Sequence, residues 1–265
     1  MVLLDFNTMF FNKERIKNFD ENKFNCLIVK SMSNYLEITL NRPNKKNSLN
    51  LEMINELALC SDYVNSTNSI RAVVYKASGN IFSAGLDLID FKDKENNIPI
   101  ADIFNKLYKP KLVILEGDVY AGGVLIVACA NYVISKSNIE LSLPEVKRGL
   151  FPFQVMDSLF RVMPKKKVMD WCIRGKKMNV TELKELNLID EIEDFEIENK
   201  IKLWINDIIK MSPNAIKTGL KKYEEFYIDN NKIEKLNIEL TKLKKSNDFK
   251  EGINAFIEKR NPKWK

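Results

Sequence analysis

Short blocks of apolar residues in the first half of the chain predict β-strands. Residues 26–30 and 35–40 are rich in β-branched side chains and partly alternate between apolar and polar, with a turn at 32–34, so we predict a β-hairpin. Residues 71–76 and 111–116 are mostly apolar, as in buried strands, and 132–134 and 140–143 are shorter candidates. A glycine-bearing segment, residues 118–131, lies between the strands predicted at 111–116 and 132–134.

Helical spacing follows the hairpin and dominates the second half of the chain. Met53, Ile54, Leu57 and Leu59 recur at helical spacing and predict a helix over 50–66, after a loop at 41–47. After Pro152 the pattern is mainly helical, and the last three predicted helices span these ranges: 215–227, 233–246 and 249–259, with Asn261 and Pro262 ending the last. Strands, glycine-bearing turns and helices alternate, which predicts an α/β fold with parallel strands and ligands beyond their carboxyl ends.

Composition favours one main domain without a membrane span. The chain has 265 residues, of which 45% are hydrophobic. Its apolar runs are shorter than the roughly 18 residues of a spanning helix, and the acid at Asp5 argues against a signal peptide. We therefore expect a cytoplasmic protein without a membrane partner.

Missing or scattered residue types exclude several classes of chemistry. The chain has no histidine, which removes the Ser-His-Asp and Cys-His triads and most catalytic metal sites. Four cysteines lie far apart and predict reduced thiols, with neither a disulfide framework nor a metal site: Cys26, Cys60, Cys129 and Cys172. The net charge of +6 comes from lysines spread along the chain, so we predict no nucleic-acid partner. Acid–base chemistry is left to carboxylates, lysines or tyrosines.

Residues 118–131 (DVYAGGVLIVACAN) offer backbone N–H groups without a nearby acid. Glycine lets a ligand approach the main chain closely, and the first N–H groups of a following helix lack intrahelical partners. A negatively charged oxygen suits such a turn. A tight turn before a buried helix explains the same residues without any ligand.

Three segments together resemble the crotonase superfamily, which includes the enoyl-coenzyme A hydratases and isomerases. They are residues 40–49 (LNRPNKKNSL), 81–88 (IFSAGLDL) and 118–131, and the likeness extends from about residue 26 to 263. The resemblance implies a spiral core of ββα units at 23–205, an N-terminal extension at 1–22 and a helical trimerisation region at 206–265. It also implies assembly as a homotrimer or hexamer.

The same resemblance implies a site for an acyl thioester. Two backbone N–H groups, of Leu86 and Gly122, would polarise the thioester carbonyl. Coenzyme A would be part of the substrate, with no tightly bound cofactor, and an acyl-carrier thioester is the other substrate class. The residues implied in holding that group are Lys45, Lys46, Ser48, Ala84, Leu86 and, near the end of the chain, Lys259.

One glutamate is present where hydratases of this superfamily use two. The first position is Leu125, whereas the second, in 143–146 (LPEV), is Glu145. A single carboxylate can move a proton from one carbon of an enoyl thioester to another, which is isomerisation. Residues 121–128 and 149–153 (GLFPF) are also similar to the Δ3,Δ2-enoyl-coenzyme A isomerases. Burial near Leu125, Phe151 and Phe153 is expected to raise the pKa of Glu145.

Other features keep two further functions open. Asn131 stands where many relatives have aspartate, and Lys147 and Arg148 would suit a substrate carboxylate. Hydratase-like or decarboxylase activity on coenzyme A or carrier-protein thioesters is therefore one alternative. A binding protein of the same fold without catalysis is the other.

Overall fold

The computed structural model describes residues 9–88, 90, 98–227 and 230–264. Its strands are β1 (Leu27–Ser31), β2 (Tyr35–Leu40), β3 (Ala72–Ala77), β4 (Ile81–Ser83), β5 (Lys111–Leu115), β6 (Asp118–Tyr120), β7 (Tyr132–Ser135), β8 (Glu140–Ser142), β9 (Lys177–Asn179) and β10 (Glu191–Ile192). Its helices are α1 (Lys13–Lys17), α2 (Leu51–Ser66), α3 (Ile100–Asn105), α4 (Gly123–Ala128), α5 (Phe153–Leu159), α6 (Lys165–Arg174), α7 (Val180–Glu185), α8 (Ile197–Ile209), α9 (Pro213–Tyr227), α10 (Asn230–Lys244) and α11 (Asn247–Ile257). Short 3₁₀ turns occupy Phe19–Glu21, Pro43–Lys45 and Pro144–Arg148.

A six-stranded sheet forms the centre of the fold. Its order is β1-β2-β3-β5-β7-β10, and all neighbours are parallel except the β1–β2 hairpin. Successive residues of β3 point to opposite faces, so Val73 belongs to the main core whereas Val74 packs against α8. Burial on both faces explains why the central strands are continuously apolar in the sequence.

A smaller four-stranded sheet carries the turns of interest. Its order is β4-β6-β8-β9, with β4, β6 and β8 parallel and β9 antiparallel to β8. Each of these strands has three residues. The carboxyl ends of β4, β6 and β8 therefore lie side by side at one edge.

The predicted fold class is confirmed, and most long elements lie where the pattern placed them. The hairpin, the helix over 50–66 and the parallel strands are present within one or two residues of their predicted bounds. The short strands β4, β6, β9 and β10 were not predicted. Strands of two or three residues seldom show a period above the surrounding turn residues, and of the three-residue strands described only β8 was predicted.

Residues 9–21, predicted as part of an N-terminal extension, pack on the core. Ile16 and Phe19 are buried in the main core, and the Phe19 ring stacks on Tyr63 of α2 with centroids 3.7 Å apart. The Asp62 carboxylate accepts hydrogen bonds from the N–H groups of Phe10 and Phe11 at 2.8 and 2.9 Å. This segment is therefore attached to α2 by both apolar and polar contacts.

Helix α8 crosses the predicted boundary between residues 205 and 206. Ile201 and Ile205 are buried against the six-stranded sheet, so the helix belongs to the core up to its end at Ile209. The C-terminal helices begin only at Pro213. The placement of both domain boundaries otherwise stays a prediction.

The three C-terminal helices differ in how they contact the core. Helix α9 has no buried residue, α10 packs on α5, and α11 packs on the turn Pro144–Arg148. Within the described ranges, every helix is too short or too polar to cross a membrane.

Replacing Phe19 with alanine tests whether the N-terminal segment is part of the core. Because Phe19 is 3% exposed and stacked on Tyr63, we expect Phe19→Ala to lower the free energy of unfolding by about 3 kcal/mol in urea titrations. Phe195→Ala is the control, since that ring is 95% exposed, and should change it by less than about 0.5 kcal/mol. Equal effects of the two substitutions would contradict the packing described above.

Candidate active site

Three predicted site residues follow three neighbouring parallel strands. Leu86 comes three residues after β4, Gly122 two residues after β6, and Glu145 three residues after β8. The ends of β6 and β8 are joined further by a 2.9 Å hydrogen bond from the Ala121 N–H to the Ser142 carbonyl. The sheet thus brings residues far apart in the chain to a single edge, where α/β proteins bind ligands.

The backbones at Gly85 and Gly122 are in direct contact. A Cβ atom added at Gly85 would lie 2.8 Å from the Gly122 nitrogen and 2.6 Å from the Ala121 Cβ, and φ of Gly85 is +84°. A Cβ added at Gly122 would lie 3.6 Å from the Leu86 nitrogen. Glycine at position 85 is therefore required, both for its backbone conformation and for this approach.

The N–H groups of Leu86 and Gly122 are free to bind a ligand. A parallel bridge joins Leu86 to Leu49, in which the Leu49 N–H binds the Gly85 carbonyl and the Asp87 N–H binds the Leu49 carbonyl. This pattern directs the N–H of Leu86 away from Leu49. Within the described part of the chain, neither the Leu86 nor the Gly122 N–H has an acceptor.

Ser83 fixes the turn that carries Leu86. Its buried hydroxyl donates to the Asn47 carbonyl at 2.9 Å and accepts from the Gly85 N–H at 3.2 Å. A Cβ at Gly123 would lie 2.7 Å from the Ser83 Cβ, so the start of α4 packs tightly on this serine. The serine and the glycines of both turns thus hold the two N–H groups in one place.

Ser48 takes part in a polar network that sequence reasoning did not find. Its hydroxyl donates to Asp87 at 3.1 Å, and Arg42 binds both the Ser48 carbonyl and the Asp87 carboxylate, at 2.5 and 3.3 Å. The network ties the loop before α2 to the Leu86 segment. Arg42 and Asp87 occur inside the two segments quoted above, but their pairing across 45 residues leaves no local signal.

The other residues predicted to hold the thioester's carrier group lie at or near the surface. Lys45 and Lys46 are exposed, and the Lys46 carbonyl accepts from the Ala84 N–H at 2.9 Å. The loop with both lysines is therefore adjacent to the Leu86 segment. Lys259 is exposed beyond the end of α11, and its ammonium makes no hydrogen bond or ion pair with the described residues.

Glu145 combines a buried carboxylate oxygen with a raised pKa. The residue is half-buried, but its Oε2 is out of reach of solvent and has no hydrogen-bond partner among the described residues. Burial raises the pKa of Glu145 from 4.5 to about 7, partly offset by its own backbone N–H and by the charge of Arg148. The expected direction of the shift is confirmed. Leu125, on α4, is buried in the main core.

Two further residues contact the Glu145 segment and were not predicted to act on it. The Glu145 charge raises the pKa of the Cys172 thiol of α6, after the larger effect of burial. Arg148 stacks its guanidinium on the ring of Phe256 of α11, 4.5 Å from the centroid. Arg148 lies in the same turn as Glu145, whereas the approach of Cys172 and of the Phe256 ring depends on packing between distant elements, which the local sequence does not show.

Other acidic or amide side chains near these elements have structural roles. Asp118 accepts from the Glu140 N–H and the Tyr120 hydroxyl, at 2.9 and 2.8 Å. Asn131 exchanges hydrogen bonds with the backbone of Lys111 at 2.8 and 2.9 Å. These contacts join strands and turns and leave Glu145 as the acid that follows the sheet edge.

One group of side chains has the composition of a metal site. Cys26, Glu52 and Glu56 offer ligand atoms within 4.8 Å of one another. These atoms already bind within the chain, because the Cys26 thiol donates to Glu52 and Glu56 accepts from the N–H groups of Asn25 and Cys26. Burial and the two glutamates raise the pKa of Cys26 to about 12, which favours the thiol over the thiolate that metals bind.

The arrangement as a whole suits chemistry on a carbonyl compound. Two free N–H groups held in a preformed turn stabilise negative charge on an oxygen. A carboxylate with a pKa near neutrality can take up and return a proton at working pH. Together they can form and collapse an enolate.

A family model, related protein sequences and a solved structure all point to one family for this chain. A family model described as enoyl-CoA hydratase/isomerase matches residues 30–265. Mevalonyl-coenzyme A hydratase of Aspergillus fumigatus is 23% identical, over 91% of this chain and 94% of that protein. The trans-2-decenoyl-(acyl-carrier-protein) isomerase of Streptococcus mutans is 26% identical, over 86% and 93%. The crystal structure of carnitinyl-CoA hydratase from Mycobacterium avium matches with a TM-score of 0.81 and 25% identity, over 92% of this chain and 99% of that one.

Replacing Glu145 with glutamine should change how stability depends on pH. The pKa of about 7 in the folded protein exceeds the ordinary 4.5, so ionisation of Glu145 weakens the folded state as pH rises between these values. Glu145→Gln removes this loss. The free energy of unfolding of the variant minus that of the wild type should therefore grow by about 3 kcal/mol from about pH 4 to pH 8.

Urea titrations at several pH values measure this difference, with Glu185→Gln at an exposed position as the control. A difference that stays constant with pH for Glu145→Gln would show that this carboxylate is not buried in the folded protein.

Proposed function

Because this chain belongs to the enoyl-CoA hydratase/isomerase family, we propose that it isomerises enoyl thioesters by moving the double bond between the 3 and 2 positions. Acyl-thioester chemistry is the activity of that family, and the position of the double-bond shift is our more specific proposal. The observation that carries it is that Glu145, with its buried carboxylate oxygen and raised pKa, is present, whereas the apolar, buried Leu125 stands at the position where hydratases have their other acid.

Each step of the reaction has a group to perform it. The Glu145 carboxylate removes a proton from C2 of a 3-enoyl thioester, and the electron pair moves onto the thioester oxygen. The N–H groups of Leu86 and Gly122 bind the resulting enolate, each worth about 3 kcal/mol of barrier. Glu145 then returns the proton to C4, the double bond comes to lie between C2 and C3, and the base is regenerated.

The raised pKa of Glu145 fits both halves of this cycle. A carboxylate with a pKa of about 7 binds the abstracted proton more tightly than one of 4.5, yet is still largely ionised just above neutrality. We expect kcat/KM to fall as pH drops below about 7, because the protonated acid cannot act as the base.

The positively charged surface beside the Leu86 segment suggests what kind of group carries the acyl chain. Lys45 and Lys46 offer positive charge to phosphates there, and Ser48 and Ala84 lie on the adjoining turns. We propose coenzyme A or an acyl-carrier thioester as the substrate, with no tightly bound cofactor. Lys259 is exposed, and would reach such a substrate in a neighbouring copy.

Hydration is the second candidate, and the names of relatives favour it. The Aspergillus fumigatus relative is a hydratase, whereas the Streptococcus mutans relative is an isomerase. Adding water requires a group that positions and deprotonates the water besides the one that handles the proton at carbon. The apolar Leu125 supports isomerisation over hydration.

Glu145→Gln and Leu125→Met test the assignment of a single acid. With a 3-enoyl thioester as substrate, we expect Glu145→Gln to lower kcat roughly a thousandfold, because the only proton carrier is lost. Leu125→Met keeps the buried volume and should leave turnover near that of the wild type. Product formation is followed by absorbance of the conjugated 2-enoyl thioester.

Parallel assays with 2-enoyl thioesters and with thioesters that carry a carboxylate on C2 separate the alternatives, since loss of CO2 from C2 leaves the same enolate. An active Glu145→Gln enzyme would contradict the proposed role of Glu145. Faster hydration of the 2-enoyl substrate than isomerisation of the 3-enoyl one would favour the hydratase. Binding without any turnover would identify a non-catalytic protein of this fold.

We also propose that the protein forms a homotrimer or hexamer through its C-terminal helices. Helix α9 has no buried residue, yet Ile216, Leu220, Tyr223 and Tyr227 recur on one side of it at helical spacing. Tyr223 and Tyr227 are 41% and 50% exposed. An apolar helix face of this kind is suited to pack against a second copy of the chain.

Light scattering after size-exclusion chromatography tests the assembly. We expect a mass of three or six times the 30.8 kDa chain, and Tyr223→Asp should lower it because a charge would be buried between copies. Lys221→Asp, at an exposed position away from this face, is the matched control. A wild-type mass of one chain would contradict the proposal.

A further inference from the structure

Helix α11 touches the backbone of the turn that carries Glu145. A Cβ atom added at Gly252 of α11 would lie 2.5 Å from the Arg148 carbonyl carbon. From the other side, a Cβ at Gly149 would lie 2.5 Å from the Asp248 carbonyl carbon, and φ of Gly149 is +69°. Two glycines, one on each element, thus let the backbones meet without intervening side chains.

Arg148 is held between this helix and the carboxylate. Its guanidinium lies 4.5 Å from the centre of the Phe256 ring, and the residue is half-buried. Glu145 is the charged group that acts on Arg148, and Arg148 in turn lowers the pKa of Glu145. Both residues belong to the 3₁₀ turn Pro144–Arg148, in which positions three apart lie on one side, and no ion pair joins them among the described residues.

The remaining titratable groups around this turn are neutral, exposed or already paired. Cys172 of α6 faces Glu145 with a thiol whose pKa is raised to about 12, so it is uncharged at working pH. Glu251 of α11 is paired with Arg260. The other charged residues of this turn, α6 and α11 are exposed: Lys147, Lys165, Lys166, Lys167, Asp170, Arg174, Asp248 and Lys250.

We propose that Arg148 is a positioning residue for Glu145 and that α11, through Gly252 and Phe256, keeps its guanidinium beside the carboxylate. The C-terminal helix is then part of the machinery that prepares the base, in addition to any role in assembly. The inference rests on the proposed function only in naming Glu145 as the base. The contacts of α11 with Arg148 and with the turn do not depend on which reaction the protein catalyses.

The contact balances two opposing effects on Glu145. Burial alone favours the protonated acid, which cannot start the reaction. A nearby positive charge favours the carboxylate, whereas a direct ion pair would make it a weaker base. A guanidinium held on the Phe256 ring stabilises the carboxylate by its charge, but it forms no ion pair that would weaken the base.

Carbon-13 NMR of the glutamate carboxyl groups tests the role of Arg148 without using activity. The Glu145 signal is assigned by its absence in Glu145→Gln, and its titration midpoint in the wild type is expected at about 7. Arg148→Met should raise the midpoint by roughly one pH unit, because the stabilising charge is lost. Arg148→Lys, which keeps the charge, should raise it less.

Phe256→Leu tests whether the ring acts through Arg148. Without the ring the guanidinium moves into water, so the midpoint should rise in the same direction as for Arg148→Met. The substitution should have no further effect in the Arg148→Met background, because no charge remains to be held. An unchanged midpoint in Arg148→Met, or additive shifts in the double variant, would overturn the proposal.

Gly252→Ala tests the contact of the helix itself. The added methyl group pushes α11 and its Phe256 ring away from Arg148, so the midpoint should rise, as in Phe256→Leu. Gly219→Ala is the matched control, since nothing lies within 4 Å of a Cβ at that position of α9. Equal midpoints in the two variants would show that α11 does not prepare Glu145.

Activity measurements on the same variants distinguish this proposal from the proposed function. If Glu145 is the base, the pH below which kcat/KM falls, the acid limb of its pH profile, should shift together with the NMR midpoint. Midpoints that move as expected while the acid limb stays in place would contradict the role of Glu145 as the base, yet support its positioning by Arg148.

Discussion

The contact between the backbones at Gly85 and Gly122 is the constraint on which the candidate site depends. It places the N–H groups of Leu86 and Gly122 together, and any Cβ at position 85 would prevent it. The parallel pairing of β4, β6 and β8 supports the same arrangement, because both turns and Glu145 follow these strands at one edge of the sheet. Fixed donors of this kind need no rearrangement when charge develops on a bound oxygen.

The proposed role of Glu145 as a base and the stability of the fold make opposite demands on its carboxylate. Removing its carboxylate from water gives the acid a proton affinity suited to neutral pH, but the ionised form then weakens the folded protein. The surrounding contacts limit that cost, because Arg148 supplies a nearby positive charge and α11 holds it there. Such conflicts between local stability and chemistry are typical of active sites.

Local sequence pattern predicted the long elements, and the family resemblance supplied the candidate site residues, but neither showed how distant segments meet. The hairpin and α2 were predicted because apolar residues repeat at the spacing of a strand or a helix. Glycines marked both turns, whereas β4 and β6, with three residues each, were too short to be recognised. The packing of α11 on the Glu145 turn joins Gly149 to residues about a hundred positions later, and Phe19 joins the core through Tyr63. Contacts of that kind leave no periodic signal.

The two N–H groups without acceptors also connect binding to folding. Most N–H groups of a folded chain find acceptors within it, and two half-buried residues whose N–H groups have none among the described residues forgo those hydrogen bonds. A bound carbonyl oxygen supplies both acceptors at once and exists only while the turns around Gly85 and Gly122 are folded. If the proposed substrate binds there, its binding free energy adds to that of folding, and the protein should be more resistant to unfolding when that substrate is abundant.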